Sequence, residues 1–110
     1  MWANRVGLEK MIYRTQLIYL KEGCEGVFDE FESIAIPIIR KHNGELILRV
    51  RPGQDSLIEG TTELPYEIHL VSFPTQQDCD NFSQDEERKK FLHLKEESIR
   101  EAILYQGTRI

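Results

Sequence analysis

Positive charge is in deficit: 14 Lys and Arg stand against 19 Asp and Glu, for a net charge of -5. Phosphate backbones and anionic lipid are bound through clustered Lys and Arg, so no nucleic acid and no membrane surface is expected as a partner. Long apolar runs are lacking too; none approaches the roughly 18 residues that a spanning helix needs. The first ten residues carry Arg5, Glu9 and Lys10 and have no apolar core of a secretory signal, so a cytoplasmic protein is expected. Cysteine is scarce. Cys24 and Cys79 lie far apart with no C-x-x-C pair, which argues against zinc pairing and favours two idle thiols over a disulfide. The three histidines form no H-x-x-x-H or His-carboxylate spacing, so no metal is expected. Glycine-rich phosphate loops and G-x-S-x-G elbows are missing, and with them any sign of a cofactor.

What is present is ordinary globular composition, 40% hydrophobic and 30% charged over 110 residues, enough for one core. Residues 11–110 are predicted to form a single domain. Residues 1–10 are expected to be an N-terminal extension, either flexible or docked on a partner through Trp2.

Met11 to Leu20 (MIYRTQLIYL) is β-branched and aromatic and predicts a strand. Val27, Phe31, Ile34 and Ile38, with Phe28, Ala35 and Ile39, recur at helical spacing and predict a helix of about five turns. Acidic residues begin it, Arg40, Lys41 and His42 end it, and Asn43-Gly44 supplies a left-handed stop. Pro37 is expected to kink it. Glu45 to Arg51 (ELILRVR) alternates as a second strand, Gly53 to Pro65 reads as a long loop, and Tyr66 to Phe73 (YEIHLVSF) is a third strand. Thr75 with Asp78 resembles a capping box, and Ser83 with Glu86 repeats it, so the second helical region should break near Ser83. Arg100 to Gln106 alternates once more as a fourth strand.

The order β-α-β-β-α-β predicts a ferredoxin-like α+β fold, a four-stranded antiparallel sheet with both helical regions on one face. One alternating set of side chains is cleanly apolar: Leu46, Leu48, Val50, Ile68, Leu70, Ala102 and Leu104. That set is expected under the helices. The opposite set would then lie bare, including Ile47, Arg49, Arg51, Glu67, His69, Val71, Phe73, Ile103 and Tyr105. Its apolar members favour covering by a second copy of the chain. The first strand, with Arg14 and Gln16 on one side and Tyr13 and Leu17 on the other, shows no clean face.

Glu22-Gly23 after the first strand, Pro37, His42-Asn43-Gly44 with Leu46 to Arg49, Glu59-Gly60, Ser72-Phe73-Pro74-Thr75 and the closing strand with Gly107 resemble the small proteins of domain of unknown function thirteen-thirty. That family belongs to the dimeric α+β barrel superfamily. The resemblance implies a homodimer whose sheets pack face to face as a barrel, with a cleft between each sheet and its helices or partner. Relatives in the superfamily include cofactor-free monooxygenases, haem-degrading enzymes, muconolactone isomerases and ligand-sensing domains, so the fold fixes no single activity. The chain departs from the family in having Glu22 or Gly23 where an Asp tends to stand, and Ser72 where a Glu tends to precede the Phe-Pro step.

Candidate chemistry gathers on the set that carries Arg49, His69 and Tyr105. A guanidinium there can hold a carboxylate or enolate, His69 can move protons near neutral pH, and Tyr105 can donate a hydrogen bond. These three are the candidate catalytic residues, with Arg51 and Arg14 as candidate ligand contacts for a small organic molecule and no cofactor or metal required. In the competing reading Arg49 and Arg51 pair with Glu67 or Glu101, and His69 is a tolerated interface residue. His42 reads as a helix-end cation, His93 as a surface residue, and Glu86 to Lys90 (EERKK) as a solvated helix face. A cofactor-independent enzyme, a ligand-sensing module and a structural assembly subunit all remain open on these residues.

Overall fold

An apolar stripe repeating every three to four residues needs a surface to bury it, and the sheet provides one. The computed structural model describes residues 11–110, so the N-terminal extension lies outside the described residues. Strand β1 (Ile12–Leu20) leads into helix α1 (Glu25–Lys41), followed by β2 (Glu45–Val50), a short 3-10 turn at Gln54–Ser56, and β3 (Glu67–Phe73). Three short helices then follow: α2 (Gln76–Ser83), α3 (Glu86–Lys90) and α4 (Leu92–Ser98), the last running directly into β4 (Ile99–Gly107). The sheet order is β2-β3-β1-β4, antiparallel throughout, as the ferredoxin-like arrangement requires. The smallest principal dimension, 16 Å, allows one sheet and one layer of helices and no more.

Helix α1 buries Phe28, Phe31, Ala35, Ile38 and Ile39 and packs against α4. It runs on through Pro37, and Asn43, at φ 65°, ends it in the left-handed region as expected. The second helical region does break after Ser83, but the restart is capped by Asp85, not Ser83. The Asp85 carboxylate accepts from the backbone N–H groups of Glu87 and Arg88 at 2.9 and 3.1 Å. It is also held by Lys41 and His42 at the end of α1, so one buried carboxylate joins two helices.

The sheet register corrects the expected facing. Antiparallel partners share a face, and β1 pairs Arg14 with Val71, Gln16 with His69 and Ile18 with Glu67. Phe73 packs with Ile39 and Cys79 of the helical layer, with Val71 and Phe82 beside them, so this is the covered face. Glu67, His69, Val71 and Phe73 therefore lie under the helices, and Ile68 and Leu70 lie on the open side. An irregularity between Leu46 and Leu48 changes the facing along β2. Leu46 opposes Val71 on the covered face, Leu48 and Val50 oppose Leu70 and Ile68 on the open face, and Arg49 opposes His69 under the helices. On β4, Leu104 and Ala102 align with Gln16 and Ile18 on the covered face, while Tyr105 and Ile103 align with Thr15 and Leu17 on the open one. The apolar set is thus split, and Leu48 (46% exposed) and Val50 (39% exposed) stand on a bare sheet surface.

Gly44, at the junction of α1 and β2, lies against the core. A Cβ there would sit 2.6 Å from Phe73 Cε1 and 2.7 Å from Ile39 Cγ2. Gly44→Ala is therefore expected to destabilise the fold by about 1–3 kcal/mol through overpacking. Urea denaturation measures this, and an unchanged midpoint would show that the junction yields.

Candidate functional site

Glu67 has no solvent-exposed side-chain surface, and burying a carboxylate alone would be prohibitive. Three neighbours compensate. Arg49 donates through both Nε and Nη2, the latter at 3.1 Å to Oε2; Arg51 Nε donates to Oε2 at 2.9 Å; and His69 Nε2 lies 2.7 Å from Oε1. Burial pushes the Glu67 carboxyl up, but the hydrogen bonds from Arg49, His69 and Arg51 outweigh it and hold the group below its usual range. Burial also lowers His69, more than the Glu67 carboxylate raises it, so the ring is held neutral near pH 7. A neutral ring beside a carboxylate donates from Nε2 and leaves the lone pair on Nδ1. Arg51 further ties this cluster to α1 through Asp29, at 2.9 Å, and stacks on Tyr66 at 4.8 Å.

Beside this cluster, between sheet and helices, lies a cavity of about 120 Å³. His69, Gln16 and Arg14 reach it from the sheet, Glu32 from α1, Arg88 from α3 and Lys95 from α4; Phe31, Ile39, Phe73, Phe82 and Leu104 give it apolar walls. Glu32 is buried within α1, and its carboxyl group makes no hydrogen bond among the described residues. Burial pushes its carboxyl up to about 7, against the lowering influence of Arg49, Lys95 and Arg88. Burial likewise lowers Arg88 and Lys95. The cavity thus combines a carboxyl that exchanges its proton near neutrality with an imidazole of fixed tautomer.

The five sequence-predicted residues do not all meet. Arg49, Arg51 and His69 come together, though on the covered face rather than the bare one, and both arginines donate to Glu67, Arg51 also to Asp29. Arg14 reaches the same cavity and donates to Gln106 at 2.9 Å. Tyr105 is on the other side of the sheet, 64% exposed, opposite Thr15 and away from His69. Its separation follows from β2 and β3 facing the helices with the polar set, while β4 faces them with the apolar one. Arg88 is a second correction: it is drawn from the charged run Glu86 to Lys90 into the cavity, its Cζ 4.9 Å above Phe82. Glu32 lies outside the sequence-predicted set. Its signal was its place, four residues from Phe28 and three from Ala35, inside the buried stripe of α1.

Among the described residues no group of three or more His, Cys, Asp or Glu is placed to hold a metal, and no helix is long and apolar enough to cross a membrane.

No family model and no curated protein matches the chain. Solved structures do. A protein of unknown function from Rhodopseudomonas palustris superposes with a TM-score of 0.80 at 11% identity, over 93% of this chain and 84% of that one. A NIPSNAP family protein of unknown function from Agrobacterium tumefaciens gives 0.65 at 19% identity, over 92% and 89%. A dabb family protein with a ferredoxin-like fold from Mesorhizobium loti gives 0.67 at 14% identity, over 91% and 97%. A further structure from Bacteroides fragilis, described as a dimeric protein of unknown function with a ferredoxin-like fold, gives 0.66 at 11% identity, over 90% and 96%. At these identities the likeness carries the fold. The chain is a ferredoxin-like α+β protein similar in architecture to the dabb and NIPSNAP proteins, and the finer resemblance to domain of unknown function thirteen-thirty has no family match behind it.

The raised Glu32 carboxyl has a consequence for stability. Unfolded, it ionises near 4.5; folded, it keeps its proton to about 7, so its burial contributes most below pH 4.5 and stability is lost as pH rises towards 7. The full cost is about 3 kcal/mol at alkaline pH. Glu32→Gln should therefore melt higher than the parent chain at pH 8 and approach it near pH 5. Parallel melting curves across that range would contradict the assignment.

Proposed function

We propose that the chain is a homodimeric, cofactor-independent enzyme that transfers protons on a small organic compound held between its sheet and helices. The observation that carries the reading is that Glu32 and His69 line one partly apolar cavity. A group that gains or loses its proton near neutral pH is the best-matched general acid or base. A neutral His69 with Nε2–H committed to Glu67 offers Nδ1 as a base, and protonated Glu32 can donate to a developing enolate. Isomerisation, lyase chemistry and the first deprotonation of an oxygenation all begin with such a step. Arg49 and Arg51 act in this scheme as positioning residues through Glu67. Tyr105, on the opposite face, has no part in the proton transfer.

The homodimer is supported by the bare sheet. Ile47, Leu48, Val50 and Tyr105 are exposed on or beside it, next to Leu70 and Tyr13, and a structural neighbour is described as dimeric. Apolar strands of this kind are rarely left in water.

Keto acids, lactones and phenolic ketones incubated with the protein in D2O provide the test, with loss of C–H signals followed by NMR. At least one compound should exchange, and His69→Ala or Glu32→Gln should slow that exchange about 10²- to 10⁴-fold. A compound that raises the melting temperature yet keeps its protons would instead mark a ligand-sensing module. Light scattering should give twice the chain mass, and Leu48→Glu should return it to one.

A further inference from the structure

The charges around the cavity do not balance. Arg14 comes from β1, Arg88 from α3 and Lys95 from α4. The nearby carboxylates are mostly committed elsewhere. Glu67 is engaged by Arg49, Arg51 and His69, Asp85 by Lys41 and His42, and Glu96 stands exposed on the outer side of α4. Glu32 alone faces the three cations, and burial favours its neutral form. The cations also disfavour one another, Arg14 acting on Arg88 and Arg88 on Lys95. Arg88 Nε is buried with no hydrogen-bond partner among the described residues. Its Nη1 makes one long contact, 3.4 Å, to the Ser83 carbonyl. A buried donor of this kind, in a group that keeps its charge, is costly unless something accepts from it.

The geometry points to a small organic carboxylate as the compound this cavity takes, its anionic head received by Arg88 and Lys95, with Arg14 on the sheet side. The inference rests on the proton-transfer reading of the same cavity and narrows its substrate class. A volume of about 120 Å³ suits a molecule of a few carbon atoms. The walls of Phe31, Ile39, Phe73 and Phe82 suit a carbon body, for which a bare inorganic anion has no use. With the carboxylate at the helices, the carbon next to it lies towards His69 on the sheet.

The full chain is tested by thermal shift and calorimetry against acetate, pyruvate, 2-oxobutyrate and benzoate at constant ionic strength. The matching amides and inorganic phosphate serve as controls. At least one carboxylate should bind while its amide does not, and Lys95→Met and Arg88→Gln should each weaken it by about tenfold or more. Lys95→Met should also raise the melting temperature of the ligand-free protein, because it removes a crowded, half-buried cation. That variant carries the test if Arg88→Gln fails to fold. Equal binding of the amide, equal stabilisation by phosphate, no binding by any carboxylate, or unchanged carboxylate affinity in Lys95→Met would overturn the inference. A carboxylate that binds through Lys95 but never exchanges its C–H protons would sustain it and sink proton transfer. Exchange of a neutral ketone without carboxylate binding would do the reverse.

Discussion

The buried carboxylate of Glu67 is the constraint on which the covered face of the sheet depends. With no exposed surface, it needs several donors at once, and Arg49, Arg51 and His69 supply them. Each donor is thereby fixed: Arg49 on β2 and Arg51 just after it are bound to β3, Arg51 is bound through Asp29 to α1, and the His69 ring is held against the cavity. A network of this kind is costly to break, because removing one donor leaves a buried charge short of a partner. It also explains why charged residues occupy a face that an apolar core would normally claim.

That choice of face separates what the sequence makes legible from what it does not. Element order, the long amphipathic helix, its stop at Asn43, the capping box at Thr75 and the break after Ser83 all follow from local pattern, and the ferredoxin-like fold follows from them. Period-two alternation shows that β2 and β3 have two unlike faces but not which face is inside. Apolar Leu48, Val50, Ile68 and Leu70 were the natural choice for the core. The register places them outside because Glu67 and its partners satisfy one another under the helices, and the irregularity at Ile47 turns Leu48 and Val50 to the open side. Arg49, Arg51 and His69 were recognisable as a cluster, since alternation within strands brings them to one face whichever side is covered. Tyr105 was not, because its facing depends on how β4 pairs with β1. Arg88 and Lys95 belong to a charged helical stretch whose inward side shows only when α3 and α4 are set against the sheet.

The two faces of the sheet therefore carry different tasks. The open face is apolar and suits a second copy of the chain, while the covered face holds a cavity of mixed polar and apolar lining. On the proposed reading, pairing and proton transfer would share strands without sharing side chains, so Leu48→Glu is expected to act on assembly and a change at Glu32 or His69 on the cavity. The likeness to dabb and NIPSNAP structures extends over nearly the whole chain, and at such low identity it carries the fold and not the cavity.

The central claim is that Glu67 fixes His69 as a neutral ring with its proton on Nε2. Nitrogen-15 NMR of the imidazole at pH 7 tests it directly. The account predicts a neutral ring in the Nε2–H tautomer that becomes mixed in Glu67→Gln, whereas an imidazolium, or a proton on Nδ1, would contradict it.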